Sequence, residues 1–212
     1  MLRYQKFRSS IMVDAGIGRL LIASLHQGIS DVIPARLPFY ENWLTPPGLR
    51  GSKFGLAPLH AVLSFLRLEG QTSYDQIMAL AGQYTGDWGF GEVSAVERAL
   101  VHSTPPWLRA RLALRLSRRL VKHTFKGSKA TVRMRKGAGT MNIRASIFCA
   151  VRETAAFPMC GFYSAAVERF LQRFDIDAQV DVSECKASGG NACTMAVTIR
   201  GHRAEERAAE AA

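Results

Sequence analysis

Residues 176–199 read IDAQVDVSECKASGGNACTMAVTI and carry the clearest secondary-structure pattern in the chain. Apolar and polar residues alternate on both sides of Ser188-Gly-Gly-Asn191, a segment rich in turn-forming residues. A period of two is the pattern of a strand that buries one face. The stretch therefore predicts a β-hairpin in which two antiparallel strands are joined near residues 188–191.

Two cysteines bracket this turn. Cys185 and Cys193 are separated by seven residues, so the hairpin is expected to bring their sulfur atoms together. Cys160, at the start of a predicted helix, makes a group of three. Three thiolates with one further ligand suit tetrahedral zinc, because zinc favours sulfur and needs no redox partner. An inert or redox-active thiol cluster is the alternative, since free cysteine is among the most buried residue types.

Cys149 has two interpretations. It ends an alternating run with Ile143, Ala145 and Ile147, which predicts a strand over residues 141–151. This alternation favours a core position for the side chain. If the strand lies beside the hairpin, Cys149 instead completes a set of four cysteines.

The order of predicted elements indicates the fold class. Helices are expected over residues 57–68, 73–84 with an end at Gly86, and 104–123, ahead of a strand-strand-helix-strand-strand order. This order predicts an α+β fold in which an antiparallel sheet packs against helices, with a helical N-terminal extension. The predicted divisions are an extension with one helix and a linker over 1–50, a single domain over 51–200 with its core motif at 128–200, and a polar tail over 201–212.

Length and composition are those of an ordered protein. The chain has 212 residues, of which 48% are hydrophobic, and it has no apolar stretch long enough to span a bilayer. Asp14 interrupts the apolar run near the N-terminus, so no signal peptide is expected. We expect a cytoplasmic protein, with a peripheral position at the membrane as the alternative. In a reducing compartment, cysteines are more often thiols or metal ligands than disulfides.

Positive charge is concentrated in one part of the chain. The formal net charge is +11, and no Asp or Glu occurs from Arg98 to Arg152. Such a block attracts phosphates, carboxylated small molecules or an anionic membrane surface. No nucleic-acid recognition motif accompanies it, so no specific binding of nucleic acid is expected. The candidate anion-binding residues are Arg111, Arg115, Arg118, Arg119 and Lys122.

The basic segment also has a purely structural interpretation. Leu108, Leu112, Leu116 and Leu120 recur four apart, as expected of a helix whose apolar face packs and whose charged face is solvated. The absence of acidic residues over so long a stretch favours an anion-binding or membrane-surface role, because a helix that is merely solvated does not need it.

Residues 158–165, PMCGFYSA, together with Glu184-Cys185 and Cys193, resemble the 4-vinyl-reductase-type domain. That family is a small-molecule-binding module distantly similar to vesicle-tethering TRAPP subunits. Its members include a bacteriochlorophyll 4-vinyl reductase and the sensor domains of aromatic-responsive transcription activators. The resemblance implies a zinc site on the three cysteines Cys160, Cys185 and Cys193, beside an apolar ligand pocket.

The resemblance leaves the fourth metal ligand open. The family pattern has a glutamate three residues before the first hairpin cysteine, and this chain has Val182 there. Glu184 and Asp181 are the nearest acidic residues, but neither has the family's offset. We take Glu184 as the candidate ligand beside the three cysteines.

The function that the resemblance implies is that of a binding, carrier or sensor module for a hydrophobic small molecule, such as a tetrapyrrole precursor of bacteriochlorophyll or an aromatic compound. The aromatic residues expected to line its pocket are Phe157, Phe162, Tyr163 and Trp107. One alternative is a tetrapyrrole vinyl reductase or a subunit of one. Another is an interaction module that forms a homodimer through its helices and touches anionic membrane.

No motif for catalysis or for nicotinamide binding is found. Gly16-Ile-Gly18 and Gly137-Ala-Gly139 do not complete a dinucleotide fingerprint, because the first lacks a preceding strand and the second lies between two strands. The sequence also lacks a Walker-type loop, a Gly-x-Ser-x-Gly elbow and a His-Glu-x-x-His motif. We therefore expect that the chain is not an enzyme, and a reductase activity would need an outside reductant.

Overall fold

The computed structural model describes residues 16–44, 55–135, 137–150 and 154–200. The helices are α1 (Arg19–Val32), α2 (Leu37–Glu41), α3 (Leu56–Leu68), α4 (Gln71–Gly91), α5 (Ala95–His102), α6 (Pro106–Leu116), α7 (Arg118–Thr124) and α8 (Gly161–Gln172). The strands are β1 (Lys129–Arg135), β2 (Ala138–Arg144), β3 (Ala178–Glu184) and β4 (Cys193–Ile199). They form an antiparallel sheet in the order β1-β2-β4-β3, with β1 and β3 as its outer strands. The predicted α+β class with a helical N-terminal segment is confirmed.

The predicted hairpin is formed by β3 and β4, and a bulge sets which way its cysteines face. The register shifts between Val182 and Glu184, so one strand holds an extra residue there. An extra residue exchanges the two faces of a strand. Cys185 therefore faces the same side as Cys193, although the alternation within β3 alone would turn it to the other side.

The helices form layers over the sheet. Helix α8 packs on β3 and on α4, and α4 packs on α1. The buried residues of α1 recur at helical spacing, as expected of an amphipathic helix that presents one face to a neighbour. They belong to the same continuous hydrophobic core as the buried residues of the sheet, and they include Leu21, Ile22, Leu25 and Ile29.

Glycines allow α4 and α8 to approach closely. A Cβ atom at Gly82 would lie 2.4 Å from the carbonyl oxygen of Phe162, and one at Gly86 would lie 2.7 Å from that of Ala166. Both distances are shorter than a van der Waals contact, so a larger residue would push the helices apart. The predicted helix end at Gly86 is wrong, because this glycine serves packing inside a helix that continues to Gly91.

The basic helix predicted over residues 104–123 is two helices, α6 and α7, which meet at Ser117. The Ser117 side chain is buried, and its hydroxyl donates a hydrogen bond to the carbonyl oxygen of Leu114 at 2.8 Å. Such a local bond competes with the backbone ladder of the helix and favours a bend. The chain therefore changes direction in the middle of the basic segment.

The second predicted strand is shorter than its alternation indicated. It ends at Arg144, because Ala145 adopts a positive φ of 55° and leaves the extended conformation. A short 3₁₀ turn over Ile147–Cys149 follows. Cys149 therefore lies in a turn and not in a strand.

Some predicted segments lie outside the described residues, namely the linker residues 45–48 and the polar tail over 201–212. The predicted domain boundaries at residues 50 and 200 stay predictions. Among the helices that the structure describes, none combines the length and the apolar character needed to cross a bilayer.

The close approach of α4 and α8 leads to a stability prediction. We expect Gly82→Ala to lower the free energy of unfolding by about 1–3 kcal/mol, because the new methyl group meets backbone atoms. Gly91→Ala is the matched control, since a Cβ there meets no atom within 4 Å. Urea unfolding of both variants measures the difference. Equal stability of the two variants would contradict the packing role of Gly82.

Candidate functional site

Four cysteine side chains meet where β2, α8 and the β3–β4 hairpin come together. Cys149 ends the 3₁₀ turn after β2, and Cys160 precedes the first residue of α8. Cys185 follows β3, and Cys193 begins β4. Their Sγ atoms all lie within 4.8 Å of one another. We call these four residues the sulfur cluster, and it joins segments that are far apart in sequence.

The distances within the sulfur cluster fit a tetrahedral metal site. The Sγ atom of Cys149 lies 3.1 Å from that of Cys160 and 3.4 Å from those of Cys185 and Cys193, and Cys160 and Cys185 are 3.8 Å apart. The cysteines are not joined as disulfides. A zinc–sulfur bond of about 2.3 Å places the sulfurs of a tetrahedral site roughly 3.8 Å apart. The observed separations bracket that value.

Mutual hydrogen bonding changes the acidity of the sulfur cluster. Three of its cysteines are buried and Cys149 is half-buried. Hydrogen bonding to Cys149 raises the pKa of Cys160 well above its usual range, whereas hydrogen bonding to Cys149 and Cys160 lowers the pKa of Cys185 well below it. The Met159 backbone N–H also donates to the Cys185 sulfur at 3.4 Å. Four thiolates in this space need a cation, because like charges repel strongly in a buried site.

The structure brings the predicted ligands Cys160, Cys185 and Cys193 together and adds Cys149, for which the sequence favoured a core position. Glu184 does not belong to the cluster. Its Oε1 atom accepts a hydrogen bond from the Asn191 backbone N–H at 2.7 Å and so closes the hairpin turn. The signal that pointed to Cys149 was the cysteine count, since four is the number of ligands that a structural zinc site requires.

The four aromatic residues predicted to line a pocket do not form one surface. Phe162 and Tyr163 are buried, and the ring of Phe148 packs on both, with centroid separations of 4.7 and 5.2 Å. Phe157 is partly buried against the core. Trp107 is 55% exposed. Phe162 and Tyr163 therefore contribute to core packing.

A groove lies between α5, α6, α7 and the start of β1. Its volume is about 620 Å³. The apolar part of its lining comes from Leu100 and Val101 on α5, Leu112 and Leu116 on α6, and Ala130 on β1. The remaining lining residues are polar or charged: Glu97, Arg115, Arg118, Arg119, Lys122, Ser128, Lys129 and Thr131. The groove thus combines an apolar surface with many cations.

Most of the predicted anion-binding residues line this groove, but Arg111 does not. Arg119 donates two hydrogen bonds to the Glu97 carboxylate, at 3.0 and 2.7 Å, so its charge is already paired. Within the described residues, no carboxylate pairs with the other basic side chains of the groove, which are Arg115, Arg118, Lys122 and Lys129. These four cations are therefore available to a ligand.

Sequence reasoning had the components of the groove but not their arrangement. The leucines at positions 112 and 116 and the arginines between them were visible as two faces of one helix. The bend at Ser117 and the return of the chain along β1 bring both faces to the same groove. Lys129, which the sequence did not single out, completes it.

The chain matches no protein-family model and no curated protein. Among solved structures, it is similar to the phenol-responsive sensory domain of the transcription activator PoxR, determined with phenol. The TM-score is 0.48 at 14% sequence identity, and the match covers 72% of this chain and 80% of that chain. Conclusions about function therefore depend on the sulfur cluster and the groove themselves.

The ion pair in the groove leads to a pH prediction. Hydrogen bonding to the Arg119 guanidinium lowers the pKa of Glu97 from 4.5 to about 2. A depressed pKa in the folded state stabilises the fold above the unfolded-state value, and the contribution is lost as the pH falls toward 2. We expect Glu97→Gln to lower the urea midpoint at neutral pH. The difference from the wild type should shrink as the pH falls below about 4.5.

A double-mutant cycle with Arg119→Gln is the control for this pair. The effect of Glu97→Gln should be smaller when Arg119 is already replaced, because the two residues then no longer interact. Glu97 also accepts hydrogen bonds from Ser94 at the start of α5. Any effect that persists in the Arg119→Gln background measures this capping contribution. A pH-independent difference would contradict the assignment to the ion pair.

Proposed function

We propose that the chain is a non-catalytic binding domain, a carrier or sensor, that holds a hydrophobic small molecule in the groove between α5, α6, α7 and β1. The observation that carries the proposal is the groove itself, with its volume of about 620 Å³ and the apolar surface of Leu100, Val101 and Leu112. Small-molecule sites have volumes of about 300–1,000 Å³ and are lined mainly by hydrophobic side chains.

The sulfur cluster has a structural role in this proposal, as the binding site of a zinc ion. Four protein ligands leave no open position for a substrate, which is the arrangement of structural and not of catalytic zinc. When bound, zinc supplies a divalent charge that offsets the charge of the thiolates. The four cysteines then hold the turn after β2, the start of α8 and the β3–β4 hairpin together. Hydrogen bonds such as that from Met159 to Cys185 stabilise the thiolate form.

The 4-vinyl-reductase-type domain is the family to which we assign the chain within this proposal. The close approach of Cys160, Cys185 and Cys193 supports it, because these residues carried the resemblance. Cys149 would take the place of the acidic ligand that the family pattern has at the position of Val182. A tetrapyrrole or an aromatic compound is then the expected kind of ligand. A vinyl reductase activity would require a separate protein to deliver the reductant.

The zinc proposal predicts metal content. Protein purified under reducing conditions should contain about one zinc ion per chain by mass spectrometry, and a chelator should lower its melting temperature. Cys149→Ser should release most of the metal. Glu184→Gln is the matched control and should keep the metal, because this carboxylate bonds to the hairpin turn. Metal loss from Glu184→Gln but not from Cys149→Ser would make Glu184 the fourth ligand. Metal-free wild-type protein with an unchanged melting temperature would indicate an inert thiol cluster.

The binding proposal is tested with the neutral fluorescent probe Nile red. Leu100 lines the groove and is 63% exposed, so Leu100→Gln should leave the fold intact while weakening probe binding about tenfold. Leu68→Gln is the matched control, since Leu68 is 81% exposed and lies outside the groove. Equal binding to both variants would contradict the proposed site. A protein that binds no probe but sediments with acidic vesicles would support an interaction module instead.

A further inference from the structure

The charges of the groove point to the chemistry of its ligand. We propose that the molecule in the groove is an amphiphilic anion, a hydrophobic body with a carboxylate or phosphate head group, free in solution and bound as a single molecule. This inference rests on the proposed binding function and adds the ligand class. It is carried by four cations that line the groove without a carboxylate partner in the described residues, namely Arg115, Arg118, Lys122 and Lys129.

The apolar and cationic parts of the groove come from different elements. Helices α5 and α6 supply Leu100, Val101, Leu112 and Leu116. Helix α7 and the start of β1 supply polar residues, with Ala130 as their apolar member. An amphiphile therefore fits in one orientation, with its hydrophobic body along α5 and α6 and its head group toward α7 and β1. In the opposite orientation, unpaired cations would face hydrocarbon, which is costly.

The single carboxylate in the groove does not compete for these cations. Glu97 is paired with Arg119 through two hydrogen bonds, and Ser94 at the start of α5 holds the same carboxylate. The Nε atom of Arg118 donates to the Arg115 carbonyl oxygen at 3.0 Å, which orients the guanidinium. An anionic head group would thus meet oriented donors, and hydrogen bonds between charged groups are stronger than neutral ones.

The shape of the lining favours one enclosed amphiphile over a polyanion or a bilayer. A nucleic acid strand would leave the leucine surface unused, because such sites combine cations with aromatic stacking platforms. A bilayer surface contacts exposed residues on a convex or flat face, whereas Val101 is 4% exposed at the bottom of this groove. A free amphiphile uses both the apolar lining and the charge.

The test compares compounds that share one hydrocarbon chain. Dodecanoate, dodecyl phosphate, dodecanol and dodecyltrimethylammonium, each below its micelle concentration, are titrated against Nile red on the full chain. Both anions should bind about tenfold more tightly than the alcohol, and the ammonium compound should bind most weakly. Added salt should narrow the gap between anions and alcohol, because the cations are at the surface.

The variants separate charge from hydrophobic binding. Lys122→Gln combined with Lys129→Gln should lower the affinity for both anions about tenfold and leave that for dodecanol unchanged. The matched control is Arg111→Gln combined with Arg133→Gln, two exposed residues outside the groove lining, and it should match the wild type. Circular dichroism confirms that both double variants fold.

The outcomes distinguish the two proposals. Equal affinity for the alcohol and the anions, with all of them weakened by Leu100→Gln, would leave the hydrophobic site in place and overturn the anionic ligand. No binding of any compound would overturn both. Binding to vesicles of phosphatidylglycerol without binding of free dodecyl anions would overturn the enclosed amphiphile in favour of a membrane surface. A preference for one anion over the other identifies the head group as carboxylate or phosphate.

Discussion

The contact of four sulfur atoms is the constraint on which the arrangement of the C-terminal half depends. Thiolates repel one another in a buried site, so the cluster is stable only if protons or a cation offset their charge. With protons alone, the segments that carry the cysteines are joined by weak S–H hydrogen bonds and by short backbone contacts, such as that from the Ala155 N–H to the Ala187 carbonyl oxygen at 2.7 Å. With a divalent metal, each segment gains one strong bond to a common centre.

The sheet connects this centre to the groove. Cys193 on β4 pairs with Ile143 on β2, and Ile143 pairs on its other side with Ala130 on β1, which lines the groove. Neighbouring strands are about 4.8 Å apart, so the sulfur of the hairpin and the wall of the groove lie in one short row of paired residues. On the helical side, α8 begins at Cys160 and packs on α4, which packs on α1. Metal and ligand therefore stabilise the same folded state, each by mass action.

Local patterns predicted the parts of the structure that local interactions determine. The hairpin and the approach of Cys185 to Cys193 follow from alternation and turn residues within a single stretch. Cys149 was missed because Ala145 takes a positive φ, a conformation that alanine does not signal in sequence. The groove was missed because it depends on long-range return of the chain. The bend at Ser117 arises from burial of a hydroxyl, which no periodicity reveals.

The outer position of β1 has a consequence for behaviour at high concentration. An outer strand presents unpaired backbone groups to other molecules and can template aggregation. The exposed residues of β1 include Lys129, Arg133 and Arg135. Two copies that paired through this edge would bring like charges opposite one another, which destabilises cross-strand pairs. The same basic stretch that borders the groove thus protects the edge of the sheet from intermolecular strand pairing.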